Sequence, residues 1–168
     1  MMSYNEEHYN KKLSKLENPF ISYDTIKGYK DILNLDDNGM IGYIKIKKIK
    51  VELPIYLGTS KETLSRAVGH LEGSSLPIGG NSTHAVLSAH RGLPSSKLFT
   101  NLDKLEIGDT FVLKVLNREL TYMVDNIQIV EPNDFTLLRV SEYKDYVTLM
   151  TCTPYGINTH RLLVRGVR

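Results

Sequence analysis

The 168-residue chain has a single cysteine, no tryptophan and almost no imbalance of charge. One cysteine excludes an intrachain disulfide and a zinc site built from several thiolates. With 21 basic and 19 acidic side chains, the net charge of +2 gives no reason to expect a nucleic acid or an anionic membrane as the partner. The only basic cluster, "KIKKIK" at residues 45–50, intersperses lysine with isoleucine, which is typical of a strand with one solvated face.

Long apolar runs are also missing. The chain has no stretch of about 18 apolar residues that could cross a bilayer. It also lacks the basic segment followed by a short apolar segment that marks a signal peptide. The sequence therefore belongs to a cytosolic protein or to the soluble part of a longer one. The histidines show no spacing typical of a metal site, and we expect neither a metal nor another cofactor.

Most of the chain instead consists of short segments of alternating hydrophobicity. We predict seven or eight strands, among them a hairpin joined at Asn117-Arg118. The helices are brief, and the spacing of Thr59 and Glu62 predicts one that ends at Gly69. Short strands with few helices are typical of a closed or nearly closed β-barrel, not of βαβ units. The sequence therefore predicts a mostly β fold.

The N-terminal quarter has a different pattern. Residues 3–16 carry a narrow apolar stripe of Tyr9, Leu13 and Leu16, which predicts a helix lying on a surface instead of inside a core. The following segment lacks periodicity, and a loop of that length in a compact domain is usually a lid or a binding loop. We therefore predict one domain, 1–168, made of an N-terminal helix (1–16), a lid region (17–39) and a barrel core (40–168).

Three polar residues lie at the ends of predicted strands: His90 after "VLSA", Cys152 after "TLMT" and Arg161 before "LLVRG". If one rim of a barrel brings them together, they form an acyl-transfer site. A thiolate can attack a carbonyl carbon, an imidazole can move the proton, and a guanidinium can stabilise the oxyanion. Taken singly, each residue has an ordinary structural role, so a binding module with an inert thiol remains an open alternative.

A resemblance to a known family favours the enzyme. The segment "TLMTCTPYGINTHRLLVRG", residues 148–166, resembles the signature of class C sortases, the group that builds pili. The segment "LSAHRGLPSSKLFTNLDKL", residues 87–105, resembles the histidine segment of the same family. The segment "LPIYLGTSKETLSRAVGHLEG", residues 53–73, resembles its upstream helix region. Three matching segments in the same order make the resemblance specific from about residue 42 to the C-terminus.

The resemblance implies an eight-stranded β-barrel and a cysteine transpeptidase. Such an enzyme cleaves a Leu-Pro-x-Thr-Gly-like sorting signal after the threonine and passes the acyl group from the cysteine to a lysine of the next pilin subunit. By resemblance, Cys152 is the nucleophile, His90 the general acid and base, and Arg161 the oxyanion and substrate clamp. The substrate-lining residues would be Ala89, Arg91 and Thr151.

The resemblance also implies a lid. Class C sortases resemble one another in an N-terminal Asp-Pro-aromatic loop over the active site, and this chain has Glu17, Asn18, Pro19 and Phe20 there. Because Asn18 replaces the acid, it offers Arg161 only a neutral hydrogen bond, about half as strong as a charge-assisted one. We therefore expect a lid held chiefly by Phe20 packing on Cys152, with Glu17 as a substitute partner for Arg161 through a shift in register.

Two further expectations concern the setting of the protein. Class C sortases usually carry membrane segments on either side of the barrel, so the sequence is expected to be a soluble ectodomain from the outer face of a Gram-positive cell membrane. The alternative function is a sortase that anchors surface proteins to cell-wall peptide. The amine that accepts the acyl group, a pilin lysine or a wall cross-bridge, distinguishes the two.

Overall fold

The computed structural model describes residues 2–29, 31–32, 38–91 and 97–168. In this part of the chain, eight strands form a closed barrel, as the sequence predicts. The strands are β1 (Met40–Ile46), β2 (Val51–Leu57), β3 (Val68–His70), β4 (Thr83–Ser88), β5 (Thr110–Val115), β6 (Arg118–Val130), β7 (Asp145–Thr153) and β8 (His160–Val167). The α-helices are α1 (Met2–Leu13), α2 (Pro19–Ser22) and α3 (Lys61–Leu64). Short 3₁₀ helices span Tyr23–Thr25, Lys47–Ile49, Leu102–Lys104 and Thr136–Leu138.

The order of the strands around the barrel is β1-β2-β3-β4-β7-β8-β6-β5, and β5 pairs again with β1. Two of the eight interfaces are parallel, β2 with β3 and β4 with β7, and the others are antiparallel. Closure pairs the edges that an open sheet would leave exposed. The order places β4, β7 and β8 side by side.

Alternation along each strand separates the two faces of the barrel. Side chains that point inward form the main core and are fully buried, for example Ile44, Ile55, Leu87, Leu149 and Val164. A smaller cluster lies on the opposite face of the same strands, and we call it the outer cluster: Val86, Leu138 and Leu163. Because side chains alternate with a period of two, residues next to the outer cluster at even spacing along β4, β7 and β8 share its outward face.

The predicted hairpin is present, with its turn one residue earlier than expected. Leu116 and Asn117 both have positive φ, 53° and 61°. Two such residues are typical of the type I′ turn, whose twist matches that of the flanking strands.

The helix predicted from the "TSKE" spacing is present, but the prediction that it runs to Gly69 was wrong. Ser60, not Thr59, caps α3 by accepting a hydrogen bond from the Thr63 backbone N–H at 3.2 Å. Beyond α3 the chain forms β3, in which Gly69 pairs with Tyr56 of β2. A side chain at Gly69 would collide with the backbone carbonyl of Gly58, so glycine here permits close strand packing instead of ending a helix.

Helix α1 is shorter and more deeply packed than its narrow stripe predicts. It ends at Leu13, and both Tyr9 and Leu13 are only 2% exposed in the main core. The Asn10 side chain adds two hydrogen bonds to the backbone of Leu76, accepting from its N–H at 2.7 Å and donating to its carbonyl at 3.3 Å. Burying each apolar side chain contributes roughly 1.5–3 kcal/mol. The helix is therefore a structural part of the domain.

Among the described residues, the helices are all too short or too polar to span a membrane.

Candidate active site

The register between β4 and β7 sets His90 beside Cys152. The paired residues of these parallel strands differ by a constant 62 in number, up to Ser88 with Met150. The backbone N–H of Ala89 continues the pairing by donating to the Met150 carbonyl at 3.2 Å. His90 and Cys152 have the same offset and so lie level at the ends of neighbouring strands, which are about 4.8 Å apart.

The register between β7 and β8 sets Arg161 opposite Cys152. The two residues are direct partners in the antiparallel pairing of these strands. Direct partners project their side chains to the same face of a sheet. The same face carries Met150 of β7 and Leu163 of β8, which belong to or pack against the outer cluster. The three candidate residues therefore lie on the outer face of the barrel, at one end of three adjacent strands.

A cavity of about 230 Å³ joins these residues. His90, Cys152 and Arg161 all line it, and each is half-buried. Ala89 and Thr151 also line it, while Leu71 and Met150 supply apolar walls. Cys152 is the free thiol of the chain. A partly exposed thiol beside an imidazole and a guanidinium has the composition needed for acyl transfer.

Thr151 connects the two strand ends. Its side chain is 2% exposed, and its hydroxyl donates to the carbonyl of Ala89 at 2.8 Å. This hydrogen bond joins the residue before Cys152 to the residue before His90. It holds the two strand ends together just beyond the last pair of the β4–β7 ladder.

The guanidinium of Arg161 is anchored by backbone carbonyls of nearby residues at the start of β8 and in the loop before it. Its Nη1 donates to the carbonyl of His160 at 3.0 Å and, more weakly, to that of Asn158 at 3.4 Å. A guanidinium has five N–H donors, so others remain to bind a substrate oxygen.

Arg91 takes a different position from the one that the sequence suggested. We expected it to line the substrate cavity, but its side chain is 7% exposed and its guanidinium lies against the end of β7. There it donates to the carbonyl of Cys152 at 3.4 Å and to the hydroxyl of Thr153 at 3.2 Å. Arg91 thus contacts the backbone of the cysteine.

The N-terminal segment borders the cavity, although not in the way expected. Phe20 stacks on Phe135, with ring centroids 5.0 Å apart, and packs against the outer cluster together with Leu71 and Met150. Leu71 and Met150 also line the cavity, so Phe20 lies beside the pocket. We expected Phe20 to pack on Cys152; in the structure its ring stacks on Phe135 and is not part of the cavity lining.

Glu17 and Asn18, which precede Phe20, also have contacts other than the expected ones with Arg161. The carbonyl of Glu17 accepts a hydrogen bond from Nη1 of Arg139 at 2.8 Å, so Arg139, not Arg161, is the arginine that holds Glu17. Asn18 stands before α2 at its N-cap, and its carbonyl accepts from the Ser22 hydroxyl at 2.9 Å. Pro19 occupies the first turn of α2, where its missing N–H costs little.

Gly73 leaves the space in which the backbone of this segment packs. It has a φ of +89°, and a Cβ there would lie 2.7 Å from both the Phe20 Cα and the Pro19 carbonyl oxygen. Contacts this short cannot be relieved by rotating a side chain, because both atoms belong to the backbone. Only glycine therefore allows the N-terminal segment to lie this close to the loop after β3.

A buried histidine that sequence reasoning passed over anchors the end of the segment. His70 lies in β3, and its Nε2 donates to the carbonyl of Ser75 at 2.8 Å, which leaves Nδ1 to accept from the Tyr29 hydroxyl at 2.8 Å. The backbone N–H of Gly58 donates to the same hydroxyl at 3.0 Å. Burial lowers the pKa of His70 to about 4, so the ring is neutral at physiological pH.

His84 is a second buried histidine, on β4. Its Nδ1 donates to the carbonyl of Arg139 at 2.9 Å, and its Nε2 accepts from the Thr148 hydroxyl at 2.6 Å. Burial is the main reason that the pKa of His84 falls to about 4. The backbone of Arg139 thus binds the barrel through His84, while its side chain holds Glu17.

Within residues 2–29, 31–32, 38–91 and 97–168, no three histidine, cysteine or acidic side chains are grouped as metal ligands.

The family model of the sortase domain matches residues 44–168. Sortase D of Bacillus subtilis is 32% identical over 130 residues, which cover 76% of this chain and 63% of that protein. The chain belongs to the sortase family. It spans less than two thirds of the length of the curated relatives that it matches first.

Solved structures narrow the likeness to class C. Sortase C1 from Streptococcus agalactiae superimposes with a TM-score of 0.89 and 48% identity over 99% of this chain and 87% of that one. Sortase C of Clostridium perfringens, solved with the C-terminal cell wall sorting motif, gives a TM-score of 0.86 and 48% identity over 99% of this chain and 86% of that one. These structural neighbours are class C sortases, and the expected family resemblance is confirmed.

Proposed function

We propose that this protein is a cysteine transpeptidase that polymerises pilin. It cleaves a Leu-Pro-x-Thr-Gly-like sorting signal after the threonine and joins the new acyl group to a lysine of another pilin subunit. The observation that carries the proposal is the shared cavity lined by His90, Cys152 and Arg161, each fixed by strand register.

The first half of the reaction is acylation. The thiolate of Cys152 attacks the threonine carbonyl carbon, and the carbonyl oxygen becomes an oxyanion stabilised by the guanidinium of Arg161. Protonated His90 donates to the nitrogen of the leaving glycine as the peptide bond breaks. The products are a thioester on Cys152 and a free amine on the departing segment.

The second half transfers the acyl group. The neutral imidazole of His90 takes a proton from the incoming lysine amine as its nitrogen attacks the thioester carbon. Arg161 stabilises the second oxyanion, the carbon–sulfur bond breaks, and the Cys152 thiolate is restored. An isopeptide bond joins the two subunits. Ala89 and Thr151 line the cavity in which this occurs, and their backbone is held by the 2.8 Å hydrogen bond between them.

The substrate class is supported by a neighbour. The Clostridium perfringens enzyme, at 48% identity, was solved with a C-terminal cell wall sorting motif. The apolar walls at Leu71 and Met150 suit the leucine and proline of such a motif. The place of action follows from the substrate: the outer face of the cell membrane of a Gram-positive organism, where pilin subunits would meet the enzyme.

The N-terminal segment is proposed to act as a lid. In the predicted division, a lid region (17–39) lies between a helix (1–16) and a barrel core (40–168). Residues 30 and 33–37 of the lid region lie outside the described part of the chain, and its described part borders the cavity through Phe20. Its ring stack with Phe135 contributes roughly 0.5–1.5 kcal/mol beyond burial, so losing the stack raises the open population about 2–10-fold. The backbone that enters α2 is held at the carbonyls of Glu17 and Asn18, which accept from Arg139 and Ser22, and Pro19 begins the helix.

The lid is tested by substituting Phe20→Ala. We expect Cys152 to react several-fold faster with a methanethiosulfonate reagent and to cleave sorting peptide faster, because the cavity opens more often. Tyr143→Ala removes an aromatic ring that is 74% exposed near the far end of β7 and serves as the control. Equal reaction rates in the wild type and both variants would contradict gating by Phe20.

The function is tested by the acyl acceptor. We expect a sorting peptide and a lysine-containing pilin peptide to give a product joined through the lysine side chain, identified by tandem mass spectrometry. A wall cross-bridge amine serves as the competitor. Preference for the cross-bridge would favour the anchoring of surface proteins instead, and failure to cleave the sorting peptide at all would favour a binding module.

A further inference from the structure

The geometry points to Arg91 as a positioning residue, one that holds the His90 end of β4 and the Cys152 end of β7 in a fixed relation. This role rests on the proposed function, because it concerns the alignment of the general acid with the nucleophile. Arg91 itself is not part of the cavity lining. It acts through His90, which precedes it in the chain, and through Cys152, whose carbonyl it contacts.

The guanidinium of Arg91 is bound on every side. Its Nε donates to the carbonyl of Thr100 at 3.1 Å, and its Nη2 pairs with Oδ2 of Asp103 at 3.0 Å. Its Nη1 is shared between the carbonyl of Cys152 at 3.4 Å and the hydroxyl of Thr153 at 3.2 Å. All three nitrogens therefore have partners, and these partners lie on two separate parts of the chain.

The contacts begin where the strand ladder ends. The last β4–β7 pair is Ser88 with Met150, and Ala89 adds one more hydrogen bond beyond it. His90 and Cys152 are the next two residues along, beyond the regular pairing of β4. Arg91 is covalently attached to His90 and hydrogen-bonded to the carbonyl of Cys152, so it continues the alignment by a side chain instead of a ladder.

A further set of contacts fixes the other side of Arg91. The backbone N–H of Phe99 donates to the carbonyl of His90 at 3.1 Å. Thr100 and Asp103, which bind the guanidinium, come shortly afterwards in the chain. The guanidinium carbon also lies 5.8 Å from the ring centroid of Tyr155, in the loop between β7 and β8. One side chain thus connects the segment of Thr100 and Asp103, the end of β7 and the loop between β7 and β8.

The planar fork of arginine is the geometry that this position requires. Lysine carries the same charge but presents it as a single ammonium group, which cannot reach Thr100, Asp103 and the end of β7 together. A displacement of about 1 Å between reacting groups can lower a rate by about 10²-fold. Loss of the fork should therefore lower the chemical step far more than it lowers substrate binding.

The experiment compares Arg91→Lys and Arg91→Gln with Arg165→Lys in the full chain. Arg165 is a matched control, because its guanidinium is also paired with a carboxylate, that of Asp125, at 2.9 and 3.0 Å, and also lies near a tyrosine ring, that of Tyr146. It lies on β8 opposite Thr148, away from the cavity. The measurements are kcat and KM for a sorting peptide, the rate of Cys152 labelling by a methanethiosulfonate reagent, the melting temperature and the histidine ring NMR signals.

For both Arg91 variants we expect kcat to fall at least about 10-fold, with KM and the labelling rate within about 3-fold of the wild type. The His90 ring signal should shift. Arg165→Lys should lower the melting temperature about as much as the Arg91 substitutions do. It should leave kcat and the His90 signal unchanged. Full rescue of kcat by lysine, or a parallel fall of kcat and labelling in the Arg91 variants, would overturn the positioning role.

The two proposals can fail separately. If the wild type does not cleave the sorting peptide, the proposed function fails, and the His90 signal still decides whether Arg91 positions that ring. If the wild type cleaves the peptide but Arg91→Gln matches it in kcat and in the His90 signal, only the positioning role fails.

Discussion

The end of the barrel that carries His90, Cys152 and Arg161 and the N-terminal segment of residues 17–29 lie side by side, but they are held by different kinds of contact. The barrel end is placed by backbone pairing: β4 with β7, and β7 with β8 along its length. The N-terminal segment is placed by separate contacts. Arg139 donates to the Glu17 carbonyl, and Phe20 stacks on Phe135. The backbone of Pro19 and Phe20 packs on Gly73, and the Tyr29 hydroxyl binds His70.

This difference separates chemistry from access. A strand ladder is cooperative, so Cys152 and Arg161 keep their relation unless the barrel itself opens. His90, two residues beyond the last β4–β7 pair, is held to them through Ala89 and Arg91. A segment held by a few side-chain contacts can open locally at a much lower free energy. Substitutions at the barrel end should therefore change the rate of the reaction, while substitutions in the segment should change how often the site is reached.

The largest effect is expected for His90→Gln. Glutamine keeps the size and polarity of the side chain but cannot transfer the proton, so cleavage of a sorting peptide should fall by about 10²–10⁴-fold. Steady-state kinetics measure the loss of cleavage. The melting temperature is the control, and it should not change because the substitution should leave folding unaffected. A loss smaller than about 10-fold would mean that the register argument has assigned the wrong proton carrier.

The next effect is expected for Arg161→Lys. The charge is retained, but the planar fork held by the His160 carbonyl is lost, so kcat should fall by about 10²-fold through poorer stabilisation of the oxyanion. The labelling of Cys152 by a small thiol reagent forms no oxyanion and should stay within about 3-fold. Equal losses in both assays would show that Arg161 maintains the structure of the site instead.

Acid should destabilise the fold through two buried histidines, His70 and His84. His70 and His84 have a pKa of about 4 in the fold, against about 6.5 in the unfolded chain, so the unfolded chain binds more protons between those values. Stability is therefore complete above about pH 6.5 and is lost as the pH falls towards about 4, by roughly 3 kcal/mol at most for each histidine. Urea unfolding across this range measures the loss.

The substitution His70→Gln shows how much of this acid sensitivity comes from the contact between His70 and the N-terminal segment. In the wild type, protonated Nδ1 of His70 can no longer accept from the Tyr29 hydroxyl, so Cys152 should be labelled faster as the pH falls. The comparison is made against a small thiol of similar reactivity at each pH. The variant should have a smaller acid-dependent loss of stability. An unchanged loss would mean that His70 does not contribute to it.

The smallest effect is expected for Gly73→Ala. A Cβ would press on the Pro19 and Phe20 backbone, so the segment should shift and Cys152 should be labelled several-fold faster. Gly108→Ala is the matched control, because Gly108 has a similar φ of +95° but no atom within 4 Å of the place that a Cβ would take. Both should lose about 1–2 kcal/mol from backbone strain. Identical labelling in the two variants would mean that Gly73 has no part in controlling access.

The barrel and the three candidate residues could be predicted because both leave local signals. Alternation marks strands, and the segments around His90 and Cys152 have a specific family pattern. The structure brings His90, Cys152 and Arg161 to one cavity, and their catalytic roles remain predictions. The shared offset between β4 and β7 is visible in the numbering but has meaning only once parallel pairing is known.

Partners distant in sequence could not be predicted. The burial of Tyr9 depends on the barrel surface beneath α1. The contacts of the Arg91 guanidinium depend on how the chain after His90 folds back to place Thr100 and Asp103 beside it. Phe20 was expected on Cys152 and packs on Phe135, because the choice between two apolar partners is made by the tertiary structure. Propensity and spacing do not contain such choices.

The central claim is that Cys152 is acylated by a sorting signal at the end of the barrel. Intact-mass spectrometry of the full chain incubated with a Leu-Pro-x-Thr-Gly peptide tests it directly, with Phe20→Ala to expose the site and Cys152→Ala as the control. We expect a mass gain equal to the peptide acyl group, located on Cys152, larger in Phe20→Ala and absent in Cys152→Ala. No mass gain in either the wild type or Phe20→Ala, or an equal gain in Cys152→Ala, would contradict the assignment.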